Sequence, residues 1–358
     1  MNFSDIFIDD TKNVKRINSD EYLIKGSISV IDQGKELIAG YASDDVENAC
    51  YDTRIIFGDH TRIFKYIDFP FVCGADGTKV LKIIDPSKIN YKYMYYYLLA
   101  SNIPNTGYNR HFKWVKELSF KPVDINSQMM IVNKLDKINN LIDCRKKEIE
   151  KCDNLIKSQF VEMFGNIKTN DKKWNVYSNL LNYCVFNPKK NEIAEVNKDT
   201  MVTFLPMQNV SVDGVINYSI EKKISEVWKG FTYFKENDVL FAKITPCMEN
   251  GKGAVAKKLK NGIGFGTTEF HVIRPNKEIN SVWLYHVLAD KDFRKEAGEN
   301  MTGSAGQKRV PITFLENYKL AIPPIELQNK FAQIVEQIDK QKFVNLKIFQ
   351  LLGKKLKK

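Results

Sequence analysis

Three stretches of the sequence set glycine beside basic and amide side chains: residues 32–35 (DQGK), 243–252 (KITPCMENGK) and 302–309 (TGSAGQKR). Glycine lets a backbone approach a partner closely. Lysine and arginine neutralise phosphates, while arginine, glutamine and asparagine can pair with base edges in a duplex groove. The chemistry on offer is recognition of a polyanion rather than bond-making. In the second half of the chain the candidates are Lys243, Lys252, Lys308 and Arg309 for phosphate, with Gln307 and Asn250 for base edges. In the first half they are Gln33, Lys35, Lys79 and Arg110. Any one of these loops also reads as a solvated turn, so the expectation rests on their occurring together.

Catalytic and metal-binding patterns are not found. An amino-methyltransferase needs an Asn/Asp-Pro-Pro-aromatic motif, and the nearest stretch is Asn187-Pro188-Lys189-Lys190. The glycine–lysine run at 251–258 (GKGAVAKK) has the wrong spacing for a phosphate-binding loop. The six cysteines are scattered without a CxxC, and the four histidines are not spaced to complete a zinc site with them. Reduced thiols and a cytoplasmic protein without metal are expected. The first residues carry acids where a secretion signal would be basic then apolar, and no run is long enough to span a membrane. The formal net charge of +11 suits a polyanionic partner.

The elements that must position these loops are written twice, about 200 residues apart. Residues 120–128 (FKPVDINSQ) match residues 320–328 (LAIPPIELQ), with Ile125 and Gln128 at the spacing of Ile325 and Gln328. Residues 93–101 (YMYYYLLAS) resemble 282–290 (VWLYHVLAD), GYNR at 107–110 echoes GQKR at 306–309, and FSDI at 3–6 echoes YSNL at 177–180. The shared order is opening helix, variable region, aromatic helix, glycine/basic loop, proline and long helix. Proline can open a helix but not continue one, so each proline marks a junction between a globular unit and a helix.

Each long helix carries a seam of apolar residues in alternating four- and three-residue steps. The first seam is Ile131, Leu135, Ile138, Ile142, Ile149, Cys152 and Ile156, with Arg145 in its polar slot. The second is Phe331, Ile334, Ile338, Ile348 and Leu352, with Gln341 and Asn345 as polar positions. So narrow a stripe suits a helix pair, and within one chain an antiparallel pair related by a pseudo-twofold axis is simplest. A helix of roughly 38 residues would be about 57 Å long. Short strands are expected at 22–24, 28–31, 54–57 and 80–84 in the first half, and at 203–205, 239–242, 254–255 and 268–273 in the second. The expected fold class is α+β: two similar globular domains separated by two long antiparallel helices that form a coiled coil. The boundaries are 1–122, 123–166, 167–322 and 323–358.

Taken in order, residues 238–254 (DVLFAKITPCMENGKGA), 266–275 (GTTEFHVIRP), 302–311 (TGSAGQKRVP) and 320–328 resemble the specificity (S) subunit of type I restriction–modification systems. Residues 21–41 (EYLIKGSISVIDQGKELIAGY) resemble a first target-recognition domain of that family, so the likeness covers essentially the whole chain. The resemblance implies that each domain reads one half of a split target in double-stranded DNA, with an unread spacer between. It also implies docking of two copies of a methyltransferase subunit, then a motor-nuclease subunit. S-adenosylmethionine and ATP would be cofactors of those partners, with none on this chain. The competing classes are a coiled-coil scaffold or adaptor that binds no DNA, an enzyme acting alone, and the specificity subunit of a modification-only system. Two features depart from the family pattern: little sequence precedes the opening helix, and the second long helix stops soon after Leu352.

Overall fold

The structure is a computed structural model that describes residues 1–74, 76–304 and 306–356. Ala75 in the expected turn at 74–77, Ala305 in the 302–309 loop, and Lys357 and Lys358 at the end of the expected second helix lie outside the described residues. Packing divides the chain into two units: residues 1–146 with the chain end from 347, and residues 147–346.

The first unit holds β1 (Phe7–Asp9), β2 (Ile28–Ile31), β3 (Gly40–Ala42), β4 (Arg54–Gly58), β5 (Phe64–Ile67), β6 (Phe71–Cys73) and β7 (Thr78–Ile83). Its helices are α1 (Phe3–Ile6), α2 (Tyr91–Ala100), α3 (Phe112–Lys116) and the first part of α4 (Ile125–Phe164). An antiparallel sheet runs β1-β7-β4-β5, and a second runs β3-β2-β6 with β2 and β6 parallel.

The second unit holds β8 (Val176–Asn179), β9 (Cys184–Phe186), β10 (Met201–Leu205), β11 (Glu221–Lys223), β12 (Thr232–Lys235), β13 (Val239–Ala242), β14 (Gly253–Val255), β15 (Ile263–Gly266), β16 (Phe270–Pro275) and β17 (Lys319–Ile322). Its helices are α5 (Ile224–Val227), α6 (Ser281–Ala289), α7 (Lys291–Glu299), α8 (Ile312–Asn317) and most of α9 (Ile325–Leu356). One sheet is antiparallel in the order β9-β16-β13-β14, and another runs β11-β10-β15-β12 with β10 and β15 parallel. The strand orders of the first unit therefore recur, with β12 added, so the repeat seen in the sequence is a repeat of topology.

The apolar runs at the centre of each sheet follow from burial on both faces. Along β13, Phe241 packs into the core beneath α6 and α7, while Leu240 and Ala242 face a separate core. Along β4, Ile55 and Phe57 face one core and Ile56 the other. Successive strand residues point to opposite faces, so a strand with two buried faces has no polar alternation.

The matched glutamines have a shared role. Gln128 is fully buried; its Oε1 accepts the Asn90 amide at 2.8 Å, and its Nε2 donates to the carbonyls of Lys88 at 3.0 Å and Val123 at 2.7 Å. Gln328 repeats this with the Asn280 amide at 2.9 Å and the carbonyls of Glu278 at 3.1 Å and Pro323 at 2.7 Å. Asn90 and Asn280 in turn cap the N-termini of α2 and α6 through their side chains. One buried amide thus joins the start of a long helix to the start of the aromatic helix. Substitution Gln328→Ala removes the partner of three backbone groups, one buried and two part-buried, and is expected to cost about 2–4 kcal/mol. Chemical denaturation of Q328A and of its counterpart Q128A tests this, and the two losses should be similar.

Within the second unit, α4 and α9 pack antiparallel. The Phe331 ring lies 5.4 Å from Phe160 and 5.5 Å from Phe164, and Lys342 Nζ meets Asp153 Oδ1 at 2.6 Å. Within the first unit, Lys146 Nζ lies over the Phe349 ring at 5.9 Å, continuing the same reversed order.

The helix seams need three corrections, one of them at half-buried Ile334, where buried Val335 takes the inward place. Ile131 is 36% exposed, and Val132 takes the inward place. Buried Gln128 sets that face, and the next inward position is four residues on, not three. Gln341 is exposed, and Lys342 occupies the seam against Asp153. Asn345 is buried as expected.

Two further expectations change. The 22–24 segment forms only the isolated bridge Leu23↔Tyr41. The second copy opens not on a helix but on β8, because β17 offers it an antiparallel edge, with Ser178 opposite Leu320. In the first copy Met1 and Phe120 make the same approach, with the Met1 amino group donating to the Phe120 carbonyl at 2.9 Å.

Candidate nucleic-acid interface

In the second unit, backbone pairing brings two of the sequence-predicted loops together. The Thr245 amide donates to the Lys308 carbonyl at 3.0 Å, and the Val310 amide to the Lys243 carbonyl at 2.9 Å. The Lys243 amide reaches the Glu269 carbonyl at 2.9 Å, adding the turn before β16. Lys243, Lys308 and Arg309 are thus neighbours despite a sequence gap of more than sixty residues. Lys308, Gln307 and Asn250 are exposed, and Lys243 is half-buried. Burial holds the Lys243 ammonium below the usual lysine range, an effect opposed by Glu269 and reinforced by Arg309.

Arg309 is committed to a fork: its Nε and Nη2 meet Glu269 Oε2 and Oε1 at 2.9 and 2.8 Å. That bidentate pair lowers the Glu269 pKa and raises that of Arg309. Its geometry favours a role in fixing the loop. Lys252 Nζ donates to the Met207 carbonyl at 3.2 Å, bracing the 243–252 loop from the other side. A shallow hollow beside Lys243 is lined by Asn187, Lys189, Lys190, Tyr233 and Thr268. Asn187-Pro188-Lys189-Lys190, which fails as a methyltransferase motif, therefore contributes cations and an amide to this same face.

Two residues that support the loops escaped the sequence reading. Arg294 of α7 is buried; its Nε donates to the Leu288 carbonyl at 2.5 Å and its Nη1 to the Met248 carbonyl at 3.0 Å. Burial pushes its pKa down to about 10. Gly253 leaves it room: a Cβ there would sit 3.2 Å from the guanidinium and 2.8 Å from the Leu240 carbonyl. The one available signal was an arginine on the apolar face of α7 beside Phe293 and Ala297, a position an amphipathic pattern reserves for the core.

The second is His271 on β16, whose Nε2 lies 2.8 Å from the Val310 carbonyl and whose Nδ1 lies 3.4 Å from Asn187 Nδ2. That pattern fits a neutral ring donating from Nε2. Burial is the main cause of a pKa pushed down to about 4 from an ordinary 6.5. The folded state then resists a proton that the unfolded chain accepts. Stability is whole above pH 6.5 and is lost as pH falls from 6.5 towards 4, by up to about 3 kcal/mol. Denaturation midpoints of wild type and His271→Gln at about pH 7.5 and about pH 5 test the sign, because unfolding shifts of this kind follow proton uptake. Acid should destabilise wild type more than H271Q, and equal losses would remove His271 as the cause.

In the first unit the Gln33 side chain is held at both ends. Its Nε2 donates to the Asp76 carbonyl at 2.9 Å and its Oε1 accepts the His60 amide at 3.1 Å. Thr61 Oγ1 donates to the Gln33 carbonyl at 2.6 Å. Gln33 therefore ties three turns together. Lys35 and Arg110 are exposed, and Lys79 is half-buried with Nζ 5.4 Å from the Phe112 ring centre. The loop before α3 is pinned by the His111 amide on the Asp59 carbonyl at 2.8 Å, the counterpart of Val310 on Lys243. Above it the Tyr108 ring stacks on His60, with centroids 4.9 Å apart and planes 12° from parallel. Sequence reasoning passed over both.

Among the described residues no cluster of three or more potential metal ligands occurs, and no helix is long and apolar enough to cross a membrane. The arrangement in each unit is a rigid sheet edge presenting glycine-containing loops, exposed cations and amides.

Residues 185–348 match the family model described as the type I restriction modification DNA specificity domain. Among curated proteins, the specificity subunits of the type I restriction enzymes EcoAI and EcoEI of Escherichia coli are 41% and 39% identical to it, over 177 and 178 residues. Each match spans 45% of this chain and 30% of the relative, so the chain covers under a third of the length of either. Among solved structures, the type I restriction–modification S subunit from M. genitalium shares the fold, with a TM-score of 0.60 at 16% identity over all of this chain and 94% of that one.

Proposed function

We propose that this chain is the sequence-reading, non-catalytic subunit of a type I restriction–modification assembly. The observation that carries the reading is one frame used twice with unlike loops. Both units share a strand order and a glutamine joint. The residues at the working edge differ: Tyr108, Asn109 and Arg110 in one, and Gln307, Lys308 and Arg309 in the other. A duplicated frame with divergent tips suits the reading of two different half-sites in double-stranded DNA. The exposed lysines supply phosphate contacts, and the amides supply base-edge contacts. The long helices set the interval between the halves and dock two methyltransferase subunits, which bring S-adenosylmethionine. A motor-nuclease subunit brings ATP. The assembly works in the cytoplasm, where its DNA is.

The test is to co-express the chain with the methyltransferase subunit of its own system and map methylated adenines. A split motif with an unread spacer is expected, and exchanging residues 1–122 should alter one half only. A contiguous motif, or a change in both halves, defeats the proposal. Substitution Lys308→Ala should weaken binding to all sequences alike and lower the salt dependence by about one counterion. Titrations at several salt concentrations measure that slope.

A further inference from the structure

We infer that Tyr108 is a base-stacking residue that opens one base step of the half-site read by the first unit; this rests on the DNA-reading role proposed above. Tyr108 is 90% exposed, the most exposed of the chain's large aromatic side chains among the described residues. It is not a loose side chain, because one face lies flat on His60 while the other faces solvent. His60 is fixed in turn through its amide on Gln33 Oε1, and its buried Nδ1 has no hydrogen-bond partner among the described residues. The ring is thus presented on a backed platform rather than buried in a core.

Its surroundings suit a nucleic-acid base rather than an apolar protein surface. The loop at 104–110 carries Asn105, Asn109 and exposed Arg110, and Gly107 takes a φ of +80° that lets the tip turn sharply outward. The nearby acids are occupied: Asp32 by Lys65 at 3.4 Å, Asp76 by Arg16 at 2.7 Å, and Asp59 by the Phe112 amide at 2.7 Å. A flat ring with an open face, flanked by a cation and amides, is the arrangement that stacks on bases whatever their identity. Rings and apolar side chains pushed between base pairs unstack them. In the second unit the corresponding loop position holds Gln307. The two half-sites would then be engaged unequally: the first is opened by an aromatic ring, and the second is read without one.

The experiment uses the full chain with its methyltransferase subunit and a duplex of the mapped target carrying 2-aminopurine at successive positions of either half-site. Binding should raise fluorescence at one step of the first half-site and leave the second half-site dark. Substitution Tyr108→Ala should abolish that rise and weaken binding about tenfold, within the range for loss of one base–aromatic stack. Tyr108→Phe should keep both, and Tyr108→Ala should leave the thermal midpoint unchanged. If the wild-type complex binds its target, every position stays dark and Y108A binds equally well, the stacking role is overturned while the proposed function stands. If the rise survives in Y108A, the stacking role is likewise overturned. Absence of any sequence-specific binding by the wild-type complex overturns both.

Discussion

Substitution Phe331→Ala is expected to destabilise the second unit by about 3–5 kcal/mol, the range for removing a fully buried aromatic ring. Phe331 is completely buried, and edge contacts link it to Phe160 and Phe164 of α4 and to His286 of α6, at 5.4, 5.5 and 5.3 Å. Two helices, α4 and α6, therefore lose a shared neighbour on α9 at once. The surrounding rings are held on two different helices, so little collapse into the gap is expected. Phe331→Leu should recover a substantial part of the loss, because it refills most of the space without the edge contacts. Urea denaturation of F331A and F331L is the measurement. A loss below about 1 kcal/mol for F331A, a typical value for a substitution with no special mechanism, would show that the helix pair does not depend on this contact.

The second large effect is expected at Arg294. Alanine there removes the hydrogen bonds to the buried carbonyls of Leu288 and Met248 and leaves a hole beneath Gly253. About 2–4 kcal/mol of stability should be lost, because each stranded carbonyl carries its own desolvation penalty. The same change frees the 243–252 loop, whose Met248 carbonyl the guanidinium holds. Limited proteolysis should cut R294A within that loop faster than wild type, and DNA affinity should fall although Arg294 is buried. Arg294→Lys keeps the charge but cannot reproduce the planar fork, so it should rescue only in part. An R294A chain with normal loop protection and normal DNA binding would remove the bracing role.

The plan of the chain was legible because whole segments recur. Proline junctions, the two glutamines and the aromatic helices marked topology that the sheets then repeated. Helix faces were legible to within one residue. The shift from Ile131 to Val132 came from Gln128, a polar side chain that apolar periodicity leaves out. Gln341 gave way to Lys342 for a similar reason: a lysine stem can lie in an apolar seam while its ammonium finds Asp153. The adjacency of the candidate loops was not legible in the sequence. Backbone pairing joins the 243–252 and 302–309 loops, a long-range contact that no local pattern encodes. Which side chains remain available could not be read at all. Gln33 and Arg309 look like free recognition groups in a string of letters, yet each is held by partners distant in the sequence: Gln33 by His60 and Asp76, and Arg309 by Glu269. Arg294 and His271 show the converse, being polar residues whose importance comes from burial.

The two glutamine joints have a consequence for how such a protein can change. Every partner of Gln128 and of Gln328 is a main-chain atom. The coupling of long helix to globular body is therefore indifferent to which side chains the body carries. A body spliced in from another sequence would find the same seat, provided its main chain reaches the helix in the same way. Such a graft could exchange one set of loops for another and leave the fastening untouched.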